Sequence, residues 1–200
     1  MQAPTNLENW LTREGLERVE SPAPLSVRSA PWLQQSQLLD FFTLEELDTL
    51  AQAVWFVRAQ PGRVLVREGE RGDWMLLVLD GTVDVTKRPV TRKGVAPAAD
   101  APPERLAVLC PGAAVGEMSM LDGEPRYASC TAIEAVEFAV LTRAAVARLI
   151  HDHPAIGAKL LVKITQLLAQ RLRNTTQQLT RLLDERAGRA GAETAGAQAP

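Results

Sequence analysis

The sequence predicts a mainly β domain, a sandwich or barrel of short antiparallel strands, with helices at both ends. Three observations carry that reading. The stretch "WFVRAQPGRVLVREGERGDWMLLVLDGTVDVTKR", Trp55 to Arg88, alternates short aliphatic or β-branched runs with Pro-Gly, Gly-Asp and Asp-Gly breaks, which is the pattern of strands joined by tight turns. Strands resume at "RLAVL" and end with "AVEFAVL", giving seven or eight in close succession. On either side of this block the apolar period is 3.6.

Composition bounds the rest. Two hundred residues, 46% of them apolar, are enough for one well-covered domain with appended helices. A net charge of -2 gives no general attraction to nucleic acid or an anionic membrane. The N-terminus scatters charges through its first twenty residues and no run approaches eighteen apolar residues, so the expectation is a cytosolic chain with no signal peptide and no membrane partner. Two cysteines, Cys110 and Cys130, are too few for a disulfide framework, an iron-sulfur cluster or a thiolate zinc site, and read as reduced, buried thiols.

Residues 1–31 read as a helical arm and linker: Leu7, Trp10, Leu11 and Val19 fall on one apolar side, followed by the breaker-rich "SPAPLSVRSAP". Residues 32–154 form the main domain. It begins with a helical pattern from Trp32, and in "TLEELDTLAQAV" Thr43 and Glu46 make a capping box. The Asp80-Gly81 pair is the strongest hairpin signal, because a type I′ turn needs the positive φ that Gly and Asp tolerate. Arg88 to Glu104 carries four prolines and no periodicity, and reads as a surface loop interrupting a hairpin. Thr142 caps "RAAVARLI", and "HDHP" breaks that helix.

Residues 155–187 read as one long helix, its pattern running from about Ala155 to Arg186. Ile164, Leu168, Leu172, Leu179 and Leu182, with Thr175 in the series, form a seam that suits a partner helix, hence a homodimer. Its cations, Lys159, Lys163, Arg171, Arg173, Arg181 and Arg186, read as a solvated face. Residues 188–200, rich in Ala, Gly and polar types, read as a disordered tail.

Chemistry concentrates in "VGEMSMLDGEPRYASC". Read as a strand, a "DGEP" turn and a returning strand, it curls so that the backbone N–H groups of Met118 and Ser119 and the Arg126 guanidinium converge on one cavity, making an anion nest. Glu117, when ionised, accepts from hydroxyl donors on the same ligand. The ligand so described has an anionic phosphate with hydroxyls close by. The plainer reading of Arg126 is a surface strand residue paired with Glu117 or Glu124.

These residues resemble the phosphate-binding cassette of the cyclic nucleotide-binding domain family, whose pattern is Gly-Glu, an aliphatic, Ala or Ser, several residues, Pro-Arg, then small residues. The likeness runs from about Leu38 to Arg186. It implies a jelly-roll-like β-roll with cyclic AMP or cyclic GMP as ligand. It also implies a ligand-contacting set of Gly116, Glu117, Met118, Ser119, Arg126, Tyr127 and Ser129, with Thr175 and Thr176 of the long helix reaching the base. Glu117 would accept from the ribose 2′-hydroxyl, the N–H groups near Met118 and Ser119 would hold the phosphate, and Arg126 would pair with its charge. Gapless numbering from Arg126 puts the base-reading pair about one turn earlier, at Arg171 and Leu172. Tyr127 departs from the family's small residue, and three placements are open to its ring: outward, into the pocket, or stacked on an altered ligand.

The expected function is that of a sensor, in which a bound cyclic mononucleotide rearranges terminal helices and alters contact with an unnamed protein effector. The alternative is a protein-interaction module that keeps the roll and has a pocket blocked or altered at Tyr127. About fourteen residues follow Arg186, so the helix-turn-helix of the family's transcription factors, and with it sequence-specific DNA binding, is not expected. Catalysis is not expected either. Ser119 and Ser129 sit in no nucleophile elbow, His151 and His153 lack a third clustered ligand, and Asp122-Gly123-Glu124 lacks the carboxylates of a calcium loop.

Overall fold

The structure, a computed structural model, describes residues 7–20, 36–89 and 101–196, with side chains as far as Glu185. The expected linker, Trp32, the centre of the Pro-rich loop and the last four residues lie outside that range. The described chain forms α1 (Leu7–Glu14), β1 (Glu17–Val19), α2 (Leu44–Gln52), β2 (Trp55–Ala59), β3 (Val64–Val66), β4 (Trp74–Asp80), β5 (Val83–Lys87), β6 (Glu104–Leu109), β7 (Ala114–Val115), α3 (Glu117–Asp122), β8 (Ser129–Ala132), β9 (Val136–Thr142), α4 (Arg143–Asp152) and α5 (Pro154–Gly196).

Two antiparallel sheets carry these strands, a five-stranded one ordered β1-β2-β9-β4-β7 and a four-stranded one ordered β3-β8-β5-β6. Val57, Leu65, Leu76, Val78, Val83, Val85, Phe138 and Val140 share one buried cluster. In β4 the alternate residues Met75, Leu77 and Leu79 are buried as well, which is why this strand reads as a continuous apolar run. The capping box at Thr43 forms as expected: Thr43 Oγ1 accepts from the Glu46 N–H, and Glu46 accepts from the Thr43 N–H at 2.8 Å. Thr142 caps α4 by accepting from the Ala145 N–H. The Pro-rich loop does interrupt a hairpin, since β5 and β6 pair antiparallel across it.

Several expectations are corrected. Asp80-Gly81 does not close a hairpin: β4 pairs with β7 and β9, whereas β5 pairs with β6 and β8. The turn hands the chain from one sheet to the other, with Gly81 at φ 78 and packed so closely on Ala135 O that a Cβ has no room. "EMSMLD" is the helix α3 rather than strand and turn, and it ends on Gly123 in the left-handed conformation. Val19 belongs to β1, paired with Phe56, and not to the arm's helical face. Cys110 is exposed and Cys130 buried. The tail expected from residue 188 is helical through Gly196, in line with the high helix propensity of its alanines.

The chain divides into two units within α5, one ending at Leu160 and one starting at Leu161. In the second unit Ile164, the first member of the seam, is buried, while Leu172, Leu179, Leu182 and Leu183 are exposed.

Candidate functional site

The first unit builds the site around the buried guanidinium of Arg126. Gly116, at φ 88, turns the chain from β7 into α3, and a Cβ on it would lie 2.5 Å from Arg126 Nη1. On the other side a Cβ on Gly72 would lie 2.6 Å from Nη2. Glycine at both positions lets the guanidinium sit between two stretches of backbone. Nη1 donates to Gly116 O at 2.8 Å, Nη2 donates to Trp74 O at 2.6 Å, and the group stacks 4.2 Å from the centre of the Trp74 ring. Its backbone is locked to the preceding turn: Arg126 N–H donates to Glu70 O and Gly69 N–H donates to Arg126 O.

Arg126 is 4% exposed, and burial pulls its pKa down to about 10, outweighing the opposite pull of Cys130, Glu117 and Asp73. It therefore stays charged at neutral pH. The plainer reading of Arg126, as a surface strand residue, does not hold, because its carbonyl partners and its ring lie inside the roll.

The other expected residues divide. Glu117 and Ser119 are buried at the start of α3, with the Glu117 charge acting on Arg126, while the Met118 side chain is exposed. The main chain of α3 is clipped by Arg143, which donates from Nε to Met120 O at 2.5 Å and from Nη2 to Ser119 O at 3.3 Å. Ser129 Oγ accepts from the Glu68 N–H at 3.0 Å, a bond that holds β8 to the turn after β3. Tyr127 takes the outward placement: it is 66% exposed, with Lys87 Nζ 4.0 Å from its ring centre, so it does not block the pocket. Thr175 and Thr176 lie in the second unit, exposed, with their hydroxyls donating to the carbonyls of Arg171 and Leu172 in the same helix.

Sequence reasoning missed how α1 packs near Arg126. Helix α1 enters the roll: Leu7, Trp10 and Leu11 belong to the roll's core cluster, Trp10 lies 4.4 Å from Trp74, and its indole N–H donates to Leu65 O at 3.2 Å. Glu14 is buried, and both its oxygens accept from Arg67, at 2.6 and 3.0 Å, with Arg13 donating from Nε at 2.7 Å. Hydrogen bonding from Arg67 and then Arg13 holds this carboxyl below its ordinary range despite burial. Trp10, Glu14, Arg67, Trp74 and Arg126 all line a cavity of about 10 Å³, room for roughly one water. The amphipathic pattern of α1 was legible, but nothing local in it says which surface the helix covers.

Among the described residues, no group of three His, Cys, Asp or Glu is placed to hold a metal ion. His151 lies exposed with Nδ1 2.7 Å from Asp152, as an ordinary helix end. No described helix is long and apolar enough to cross a membrane.

The two-sheet roll with flanking helices, which buries an arginine between two glycines, defines the protein as a β-roll domain. The family model for the cyclic nucleotide-binding domain matches residues 56–153. The crystal structure of a cyclic nucleotide-binding domain from Methylobacillus flagellatus superposes with a TM-score of 0.69 at 30% identity, covering 86% of this chain and 90% of that one. The catabolite activator protein of Thermus thermophilus gives a TM-score of 0.62 at 28% identity over 74% of this chain and 63% of its own. The CRP-like cAMP-activated global transcriptional regulator of Mycobacterium tuberculosis is 32% identical over 122 residues, 61% of this chain, and this chain spans 49% of its length. The chain belongs to the cyclic nucleotide-binding domain family.

Proposed function

We propose that the chain is a sensor of a cyclic mononucleotide, cyclic AMP or cyclic GMP, whose phosphate pairs with Arg126. The observation that supports this most is the state of Arg126 itself. Its guanidinium is charged and buried, its hydrogen bonds go to carbonyls of Gly116 and Trp74, and the nearby charges of Glu117 and Asp73 offset its burial only in part. A phosphate in the cavity supplies the countercharge, and a guanidinium matches its geometry. Glu117, buried one residue beyond Gly116, is proposed to take the ribose hydroxyl, and the backbone N–H groups of the first turn of α3, at Met118 and Ser119, to face the phosphate. Binding is read out as a change of contact with a protein effector, with the exposed leucines Leu172, Leu179 and Leu182 as the proposed seam of a homodimer.

Thermal unfolding against a panel of cyclic mono- and dinucleotides tests the ligand, because a compound that binds only the native state raises apparent stability by mass action. Cyclic AMP or cyclic GMP should raise the midpoint in a concentration-dependent way. A flat response to both would remove this reading.

One observation favours a second reading, a roll that works without ligand. The cavity holds α1 and has no room for a nucleotide while α1 is in place. In that reading α1 is permanent core, and the protein is an interaction module.

A further inference from the structure

We propose that α1 is a built-in competitor for the nucleotide site: it occupies the cavity in the ligand-free protein and must leave for the ligand to enter. The inference rests on the nucleotide-sensor reading and adds to it a gate. Two features of α1 carry it. It brings an aromatic ring and a carboxylate into one cavity, Trp10 against Trp74 and Glu14 against Arg67, and a nucleotide likewise presents an aromatic base and an anion. Both groups line the same residual space as Arg126, and about 10 Å³ of it is left, so helix and nucleotide exclude each other.

The attachment of α1 is of the kind that can be exchanged. Among the described residues, the strand ladder of the arm is β1 on β2, from Glu17 to Val19, and no ladder ties α1 itself to either sheet. Its side chains make hydrogen bonds to the roll: Trp10 to Leu65 O, Glu14 with Arg67, and Arg13 to Glu70 at 2.7 Å. Between α1 and β1 stands Gly15 at φ 64, a position that absorbs a change of backbone direction while β1 stays paired. Glu14 also sits in the last turn of α1, where the helix dipole disfavours a carboxylate, so the helix relies on Arg67 and Arg13 to keep it there. When α1 leaves, the Arg67 guanidinium is released from Glu14 into the cavity that Arg126 lines.

A site that is open for a fraction of the time binds with an apparent affinity reduced by that fraction. The test is calorimetric titration of cyclic AMP and cyclic GMP into the full chain, into Trp10→Ala, which removes the ring, and into Glu14→Gln, which is nearly isosteric and removes the charge. Gate opening should tighten binding by roughly tenfold in Trp10→Ala and several-fold in Glu14→Gln. Excess nucleotide should also abolish the near-ultraviolet dichroism of the coupled Trp10 and Trp74 rings in the unmodified chain. Equal affinity in all three proteins, with that dichroism retained on binding, overturns the gate and leaves the sensor reading standing. No binding by any of the three overturns the sensor reading and the gate with it. Glu14→Gln keeps the test decisive should Trp10→Ala fail to fold.

Discussion

Arg126 of the cassette and Trp10 and Glu14 of the arm line one cavity, but the two regions are held in different ways. The cassette is pinned by main chain: two carbonyls on the guanidinium, the reciprocal bonds between Arg126 and the Gly69-Glu70 turn, and the Arg143 clip on α3. The helix of the arm is pinned through its own side chains, Trp10 on the Leu65 carbonyl and Glu14 on the Arg67 guanidinium, partners more than fifty residues away in sequence. Main-chain fixing keeps a binding group in one geometry whether or not ligand is present, whereas side-chain fixing can be exchanged for a ligand of similar chemistry. On the proposed reading, this contrast is how one cavity is both preformed and closed.

Trp74 is where the two regions meet, under Arg126 on one side and against Trp10 on the other, and its loss should have the largest effect. Trp74→Ala is expected to cost about 3 to 5 kcal/mol in chemical denaturation, as a buried ring removed from a packed site. A loss under 1 kcal/mol would mean the two sides do not share this residue. Gly116→Ala breaks the cassette alone. Its φ of 88 and the 2.5 Å approach to Arg126 call for about 1 to 3 kcal/mol, with the near-ultraviolet signal of the arm kept.

Acid should loosen the arm instead. The Glu14 carboxyl is held below its ordinary value of 4.5, so its contribution to stability is present above that value and is lost as the pH falls through the lower folded value. Arg13 and Arg67 stay charged over this window, and Glu70, paired with Arg13, also faces them. Titrated dichroism of the Trp10 and Trp74 pair should therefore fall below about pH 4.5 in the native chain and show a weaker acid dependence in Glu14→Gln, which isolates Glu14 from Glu46 and Glu68, two other carboxyls held low by their partners. Smallest of all, Tyr127→Ala should change stability by no more than about 0.5 kcal/mol, because the ring points outward over Lys87. A marked gain in nucleotide affinity from that change would return Tyr127 to the pocket.

The same contrast decides what the sequence could disclose. The cassette was legible because its parts are consecutive: Gly116, Glu117 and Arg126 lie within eleven residues, and a glycine before an acid and a Pro-Arg pair say how the chain must turn. Even there, the helical nature of α3 was lost to the strand-like company on both sides, and the inward Arg126 contacts with Trp74 join residues fifty-two apart. Gly81 was read correctly as a positive-φ turn and wrongly as a hairpin, since turn chemistry is local while the choice of sheet is set by packing. The arm was legible as an amphipathic helix. Its destination was not, because Trp10 and Glu14 find partners only once the two sheets have closed around them.

The central claim is that Arg126 is the anchor for a nucleotide phosphate. Calorimetric titration of cyclic AMP and cyclic GMP into the full chain and into Arg126→Ala tests it most directly. Saturable binding by the full chain, weakened roughly ten- to a hundredfold in the variant by loss of a charge-assisted contact, is the predicted result. Equal affinity in the two folded proteins, or no binding by the full chain, would contradict it.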